Sequence, residues 1–498
     1  MSQGTPDDLE RHSPNLTIDN LPTELLLEIF DAYRQHFDYG YKHQRCWNTS
    51  LTWFKLIHVC RKWRHVVFTS MTHLNLYLIL ETRHRDRNHR DIILSRHFPP
   101  LPIVIDCHFG GPSTPEDQVR LLSTLKLCDR VHGISVFGRR APDFAEFFEQ
   151  TKRPFPTLKS LKIYHEHLDT LELPPTFIGG SAPSLRCLKI NPVSFASISP
   201  ILSSATQLVD LSLVIELTFS PSQEESLLAY LKAMPCLRHL SLIISDRSIN
   251  SLAHPSEPED IVTLFKLTDF HYHSPSVVLD ILVAGFTAPS LQELCIGAID
   301  TTALPVPHLP QFINAIGKAY HSLHLYFRET VVFRIELLTE AEYVGRRMPS
   351  FTFYAYHFPD SMMQTNSAFS AKFATLKELR ITFMKSEGDT TWQDVTPWRR
   401  FLQQFCSVKV IRLERGSLHC IADSLKPKHG EPILDFLPFL EEIELCVYNI
   451  AMPESELAAE LAAFQPFVSA REQAGCPIRV YRSVKSMDPW NLFHGALG

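Results

Sequence analysis

The residues Leu158-Lys-Ser-Leu161-Lys-Ile163 decide the fold of this chain, because the same spacing of apolar residues returns many times. The phrase has an apolar residue at its first, fourth and sixth positions. Successive copies start roughly 23 to 32 residues apart, a period that indicates a solenoid of stacked repeats. Three further clear copies begin at Leu185, Leu208 and Leu237. Less regular copies begin at Val131, Leu267, Leu291, Tyr320, Phe351, Leu376, Val408 and Leu440.

Each copy of the phrase predicts one strand of a parallel sheet. Because successive side chains of a strand point to opposite faces, the fourth and sixth positions of a copy face the same side, where a parallel neighbour stacks on them. The alternative is an α/β sandwich with accidental sequence similarity. Five leucines at the fourth position are expected in the core: Leu161, Leu188, Leu211, Leu240 and Leu294.

The segments between the strands have the apolar periodicity of helices that cover the outer face. A longer helix is predicted over 453–474, followed by a last strand over 477–481. These two elements would cap the open end of the array, which otherwise exposes unpaired edge groups. Four shorter helices are predicted over 223–234, 276–286, 311–320 and 398–405.

A second pattern lies upstream, in Leu21-Pro22-Thr-Glu24-Leu25-Leu26-Leu-Glu28-Ile29-Phe30. Proline is tolerated in the first turn of a helix, so Pro22 predicts a helix start with Asn20 available as N-cap. The apolar side chains then form one stripe down three turns. The stretch from Trp53 to Val67 repeats this amphipathic pattern, so two helices are expected to pack together. A unit of about 50 residues buries too little surface for helices this apolar, which leaves a face for a partner.

The two half-motifs, Leu21–Phe30 and Leu56–Arg64, resemble the F-box, which docks on a Skp-family adaptor in cullin-based ubiquitin ligases. The resemblance implies a helical bundle, with a Skp-family adaptor and a cullin as partners. The link from Arg34 to Ser50 is longer than the family usually has. The alternative is an ordinary N-terminal helical hairpin. Adaptor binding is expected at Leu21, Pro22, Leu25, Ile29, Phe30, Leu56, Val59 and Trp63, with Phe30 and Trp63 as anchors.

The repeats resemble leucine-rich repeats of the ribonuclease-inhibitor kind, although they lack a regular asparagine after the strand. The run from Thr52 to Ile105 is similar to F-box proteins of filamentous and mushroom-forming fungi. The resemblances imply an α/β fold with an N-terminal F-box helical bundle, followed by a leucine-rich-repeat solenoid with parallel strands inside and helices outside. The predicted segments are a tail over 1–15, an F-box-like domain over 16–70, linking and first strand units over 71–130, the solenoid with its cap over 131–484, and a tail over 485–498.

The composition is that of a folded, soluble protein with 498 residues, enough for two or more domains or one elongated array. The net charge of -6 gives no case for nucleic acid or an anionic membrane as a partner. The N-terminus lacks the apolar segment of a secretion signal, and no run is long enough to span a bilayer. A cytoplasmic or nuclear protein is therefore expected.

Residue patterns for catalysis and metal binding are missing from the sequence. No glycine-flanked serine nucleophile, phosphate loop or dinucleotide-binding glycine pattern occurs, so no enzyme activity and no cofactor are expected. The 11 cysteines include no Cys-x-x-Cys pair. Two histidine pairs, His165-Glu-His167 and His271-Tyr-His273, lack a third ligand at metal spacing, so no metal site is expected.

Three functions fit this organisation. The first is a substrate-recognition subunit of a Skp/cullin/F-box ubiquitin ligase, which binds its adaptor through the F-box and a protein target through the repeats. The second is a leucine-rich-repeat interaction scaffold without a ligase role, and the third is a receptor for a small molecule that no residue specifies. The outward side chains change from lysine through histidine to glutamate along the repeats, which favours an oriented protein target. The candidates for target contact are Lys162, Lys189, His239, His271, His273, Arg380, Glu442 and Glu444.

Overall fold

The computed structural model divides into two compact units. Unit 1 comprises residues 1–169 and 173–185, and unit 2 comprises residues 170–172 and 186–498. The division falls inside the segment that the sequence predicts as one solenoid. The structure describes residues 21–38, 55–70, 78–81, 101–108, 122, 124–138, 144–166, 170–216, 221–245, 261–274, 276–298, 306–328, 332–345, 349, 351–356, 372–384, 395–414, 418–428, 432–448 and 454–485.

Unit 1 opens with two helices, α1 over Thr23–Asp38 and α2 over Arg61–Thr69. Pro22 precedes α1 as predicted, and its carbonyl accepts a hydrogen bond from the Leu26 amide at 3.1 Å. At the start of α2, the backbone of Cys60 is extended and its Sγ accepts a hydrogen bond from the Trp63 amide. Residues 39–54, which include Trp53 and most of the predicted link, lie outside the described part of the chain.

Unit 1 also contains a run of parallel strands. Helix α3, over Ala145–Gln150, lies between the last two of them in the chain and buries Phe147. Leu161 and Ile163 of the last strand are fully buried, as the repeat phrase predicts. The strands are β1 (Leu78–Glu81), β2 (Ile103–His108), β3 (Val131–Gly138) and β4 (Ser160–His165).

Unit 2 is built on a large sheet of mostly parallel strands, and the later copies of the phrase each form one of them. Leu188, Leu211, Leu240 and Leu294 are at most 1% exposed, which confirms their predicted core positions. The strands of this sheet are β5 (Cys187–Ser194), β6 (Asp210–Glu216), β7 (His239–Ser245), β9 (Asp269–Ser274), β11 (Glu293–Ala298), β12 (Ser322–Arg328), β13 (Val332–Leu338), β14 (Phe351–Tyr356), β15 (Glu378–Met384), β16 (Val410–Glu414), β17 (Glu442–Tyr448) and β18 (Arg479–Lys485). Two short strands, β8 (Val262–Thr263) and β10 (Phe286–Thr287), pair in parallel in a separate sheet.

Helices lie between the strands of unit 2 along the chain, close to the predicted segments. Residues on strands and helices pack together in the core: Phe286 contacts both Phe270 and Phe312 edge to face, with ring centroids 5.3 and 5.4 Å apart. Among the described helices, none is long and apolar enough to cross a membrane. The helices are α4 (Phe195–Ser204), α5 (Pro221–Lys232), α6 (Ser276–Gly285), α7 (Leu309–Ala315), α8 (Glu340–Gly345), α9 (Val395–Leu402), α10 (Leu418–Leu425) and α11 (Glu454–Gln473).

The strand order departs from the predicted solenoid at the centre of unit 2. Strand β11 pairs in parallel with β14, and β13 lies antiparallel between β14 and β12. Strand β12 then pairs in parallel with β15. The connection between β12 and β13 spans only residues 329–331, which is too short for the crossover that a parallel pair requires. The expectation that every copy stacks in parallel on the copy before it is therefore wrong here.

Candidate protein-binding surfaces

The helix pair of unit 1 has a hydrophobic core of its own. The rings of Phe30 and Trp63 meet edge to face, with their centroids 4.8 Å apart. Lys62 Nζ donates a hydrogen bond to the Leu21 carbonyl at 2.8 Å, which ties the start of α1 to α2. The buried members of this core are Leu26, Phe30, Leu56, Ile57, Val66, Val67 and Leu101.

Three large apolar side chains among the described residues of the helix pair stay exposed. Leu25 and Ile29 are 46% and 44% exposed, and Val59, in the turn before α2, is 53% exposed. Leu25 and Ile29 lie one helical turn apart and therefore on the same side of α1. We call Leu25, Ile29 and Val59 the helix-pair patch. These three residues are exposed, as their predicted role in adaptor binding requires. Pro22, which is also a predicted adaptor-binding residue, is exposed as well but has a smaller side chain.

The other predicted adaptor-binding residues lie in or against the core of the helix pair. Phe30 is 1% and Leu56 6% exposed, so in this structure they offer a partner almost no surface. Both side chains are used to hold the two helices together. Leu21 and Trp63 are partly buried and pack against the same core. Phe30 thus contributes to the core through its contact with Trp63, and its role as an anchor for the adaptor stays a prediction.

The side of the unit 2 sheet opposite its core carries polar side chains, and we call it the polar face. In its early part these side chains pair across neighbouring strands. Lys189 Nζ of β5 lies 2.7 Å from Asp210 of β6. His239 Nδ1 of β7 lies 2.6 Å from Asp269 of β9. The predicted target-binding residues Lys189 and His239 are therefore present on the surface, but each already has a carboxylate partner.

The two predicted histidines of β9 both lean towards β11. His271 Nε2 lies 3.3 Å from Glu293 Oε1, and the His271 ring is also hydrogen-bonded to Cys295. These hydrogen bonds, first the one to Cys295 and then the one to Glu293, raise the pKa of His271 from 6.5 to about 10, although burial opposes the shift. His273 packs over Gly297, and burial lowers its pKa. One charged and one neutral imidazole thus stand next to each other.

A network of arginine and glutamate side chains occupies the late part of the polar face. Arg412 Nε lies 3.0 Å from Glu378 and 3.2 Å from Glu444, which belong to the strands on either side. Arg380 pairs with Glu414 in the same way. The pKa of Arg412 is raised: burial, the largest single effect, opposes the shift, but the charges of Glu378 and the other groups around the guanidinium together outweigh it. The glutamates are almost completely buried, so cross-strand pairing is what makes their charge tolerable.

Tyr343 of α8 lies over this network, and the sequence patterns did not predict it. The Arg412 guanidinium lies 6.0 Å from the centre of its ring, and its hydroxyl is hydrogen-bonded to Glu378. Burial and the Glu378 charge raise the pKa of Tyr343 to about 12. Thr339 and Glu342 form reciprocal hydrogen bonds at the start of α8, the Thr-x-x-Glu pattern of a capping box. That pattern indicates a helix start, but it contains no information on where the helix packs.

Two of the predicted target-binding residues have little surface. Lys162, on β4 of unit 1, is 8% exposed, and Glu444 is 5% exposed, and their contact with a target stays a prediction. Glu442 pairs with the exposed Arg479, which offsets its charge. Because the late glutamates are neutralised by arginines, the predicted change from lysine to glutamate does not produce an acidic end of the polar face.

His271 is expected to stay protonated through neutral pH. Because its pKa is higher in the folded state, its contribution to stability is complete below about pH 6.5 and is lost as pH rises towards 10. The energetic effect should be small, since the side chain is 42% exposed and solvent screens its pairing. Histidine NMR titration should show His271 titrating far above His273, and Glu293→Gln should move the His271 midpoint down. A His271 midpoint near 6.5 would contradict the geometry.

Among the residues that the structure describes, no group of three or more His, Cys, Asp or Glu side chains is placed to hold a metal ion. No protein-family model matches the sequence, and no curated protein is significantly similar to it.

Proposed function

We propose that the chain is the substrate-recognition subunit of a Skp/cullin/F-box ubiquitin ligase. In this proposal unit 1 binds the Skp-family adaptor, through which it joins the cullin, and unit 2 binds a protein target. The chain itself carries out no chemistry in this role. The order of a short helix pair followed by a long array of strands and helices is the order that such a subunit needs.

The observation that carries the proposal is the helix-pair patch. Leu25, Ile29 and Val59 expose large apolar side chains on a helix pair whose own core is already filled. Burying such side chains against a partner is favourable by about 25 cal/mol per Å² of apolar surface removed from water. The half-buried Trp63 lies beside the core as an additional contact, because aromatic residues dominate many interfaces.

The polar face of unit 2 is the proposed target surface. Its side chains are mixed in charge and belong to many adjacent strands, which suits a protein better than a small molecule. In the part of the face that β5 to β11 form, the predicted residues with accessible surface are Lys189, His239, His271 and His273. In the late part, Arg380 and Glu442 retain some exposure beside the buried network.

The adaptor half of the proposal is tested by binding of the full chain to a purified Skp-family adaptor. The triple variant Leu25→Ala, Ile29→Ala, Val59→Ala should weaken binding more than tenfold, since loss of interface anchors costs about 1 to 2 kcal/mol each. The matched control is the double variant Val344→Ala, Phe439→Ala, which removes even more exposed apolar side chains from unit 2 and should leave binding unchanged.

If the adaptor binds the triple variant as tightly as the unaltered chain, the ligase assignment is wrong at this surface. If the unaltered chain binds no adaptor at all, the second function, an interaction scaffold without a ligase role, is favoured. The polar face of unit 2 is the observation that supports the scaffold function, because none of the side chains that form this face belongs to the helix pair.

A further inference from the structure

Strand β18 is the last strand of the unit 2 sheet. It pairs in parallel with β17 over its whole length, and the structure describes no strand on its other side. The helix before it, α11, packs against α10 in the same way as α10 packs against α9. Helix α11 and strand β18 thus extend the array by one further helix and strand. We call the side of β18 that faces away from β17 the far edge.

The backbone of β18 has hydrogen-bonding groups directed at the far edge. Backbone groups along a strand point alternately to its two edges, so every second residue serves each neighbour. The Arg479 amide donates to the Glu441 carbonyl, just before β17, at 3.0 Å. The N–H and C=O groups of Val480 and Arg482 therefore point to the far edge. Such a row of backbone groups is a template for one more strand.

An exposed arginine lies on each face of β18. Arg479, on the polar face, is 79% exposed although it pairs with Glu442. Arg482 is exposed as well, and it belongs to the opposite face because three residues separate the two positions. Glu442 lies one strand further in, on β17. A chain that lies along the far edge would therefore meet positive charge on both of its faces.

Arg482 occupies a position that is apolar in the three preceding strands of the sheet. The residues in line with it are Leu445, Leu413 and Ile381, and all three are at most 1% exposed. A charge at an inward position of an edge strand opposes pairing with a strand of like charge. The far edges of two copies of this chain would bring arginine next to arginine, which is unfavourable. A strand with carboxylates at these positions would neutralise both arginines.

We propose that the far edge of β18 binds an extended, acidic segment of another protein as one further strand. The segment has two acidic residues three positions apart, one opposite Arg479 and one opposite Arg482. Backbone hydrogen bonds to Val480 and Arg482 supply affinity, and the two charge pairs select the segment. An apolar residue opposite the partly buried Val480 would extend the apolar row of the core. The proposal does not rest on the ligase assignment, because it involves neither an adaptor nor the helix-pair patch.

The probe for this edge is the fluorescein-labelled peptide Thr-Glu-Val-Thr-Glu-Val-Thr, whose β-branched residues favour an extended chain. Whether the peptide lies parallel or antiparallel to β18, its glutamates can face both arginines and the backbone of its central threonine faces the edge. One control peptide has lysine in place of both glutamates. The other keeps the glutamates and has proline in place of the central threonine, which removes an amide that the new strand needs.

Binding of each peptide to the full chain is followed by fluorescence anisotropy. The glutamate peptide should bind at least about tenfold more tightly than either control, since the controls lose charge pairing or strand pairing. Arg482→Glu should weaken binding of the glutamate peptide about tenfold, because repulsion replaces attraction. The matched control is Arg238→Glu, which reverses the charge of another exposed arginine of unit 2, before β7, and should leave binding unchanged.

Hydrogen exchange at single-residue resolution tests the strand pairing itself. On addition of the glutamate peptide, exchange should become slower at the amides of Val480 and Arg482, which point to the far edge. It should change little at Arg479, whose amide already donates a hydrogen bond on the β17 side. The arginine variant and the exchange measurement are independent, so charge selection and strand addition are tested separately.

Three results would overturn the proposal. If the glutamate peptide and the proline peptide bind equally, the attraction involves charge without strand pairing. If the glutamate peptide does not bind the full chain, Arg482 only protects the edge. If the amides of Val480 and Arg482 are already protected in the chain alone, residues 486–498 or a second copy occupy the edge. None of these results bears on adaptor binding, so the ligase proposal stands or fails separately.

Discussion

Replacing Arg412 by alanine is expected to destabilise unit 2 by about 3 kcal/mol. The guanidinium neutralises both Glu378 and Glu444, whose side chains are only 6% and 7% exposed. Without it, the two nearly buried carboxylates on the strands either side of β16 lose the guanidinium that they share, and Tyr343 loses the cation over its ring. We place the value at the lower end of the range for buried pairs, because Arg412 itself is 24% exposed. Urea denaturation followed by circular dichroism measures the change.

The matched control for this change is Arg479→Ala. Arg479 also pairs with a glutamate, Glu442, but its side chain is 79% exposed, so its loss should cost less than about 1 kcal/mol. Adding Glu378→Gln to Arg412→Ala should restore part of the lost stability, because it removes one of the two uncompensated charges. Equal costs for Arg412→Ala and Arg479→Ala would show that the network does not stabilise the late strands.

Replacing Leu325 by alanine is expected to destabilise the centre of unit 2 by about 2 to 5 kcal/mol, because the side chain is fully buried. In a repeat array the damage spreads mainly to elements in direct contact. The neighbours of β12 are β13 and β15, where Leu325 lies opposite Ile335 and Ile381. Hydrogen exchange should therefore become faster in β13 and β15 and should change little in β11.

The result for β11 distinguishes the observed strand order from an uninterrupted solenoid. In an uninterrupted solenoid β11 would pair with β12, and its exchange would become faster as soon as Leu325 is truncated. The control is Leu213→Ala on β6, an equally buried position where the order is regular. There the faster exchange should appear in β5 and β7, which precede and follow β6 in the chain.

The helix pair shows what the spacing of apolar residues predicts and what it does not. Its pattern predicted both helices and the apolar stripe of α1, but it did not distinguish Leu26 and Phe30, which are buried, from Leu25 and Ile29, which are exposed. All four are apolar residues within two turns of one helix. Which of them faces inward depends on where α2 and the segment before it pack, and that contact is not encoded in the spacing along α1.

The polar face shows the same limit. The alternation within each copy correctly predicted which side chains point away from the core. It did not predict that they would be used to neutralise one another, as Arg412 does for Glu378 and Glu444. The pairing of Cys295 with His271 could have been found by aligning the copies that form β9 and β11, since the two residues hold equivalent positions.

The sequence by itself determined where the strands that carry the repeat phrase and several of the helices between them form, and which leucines enter the core, because backbone geometry makes side chains alternate within a strand and recur every 3.6 residues in a helix. Only the tertiary structure decided which strands are neighbours around β12, where Tyr343 packs, and which side chains form charge networks. These contacts join residues far apart in the chain. They follow from the length of a connection and the packing of whole elements, and no local pattern of residues specifies them.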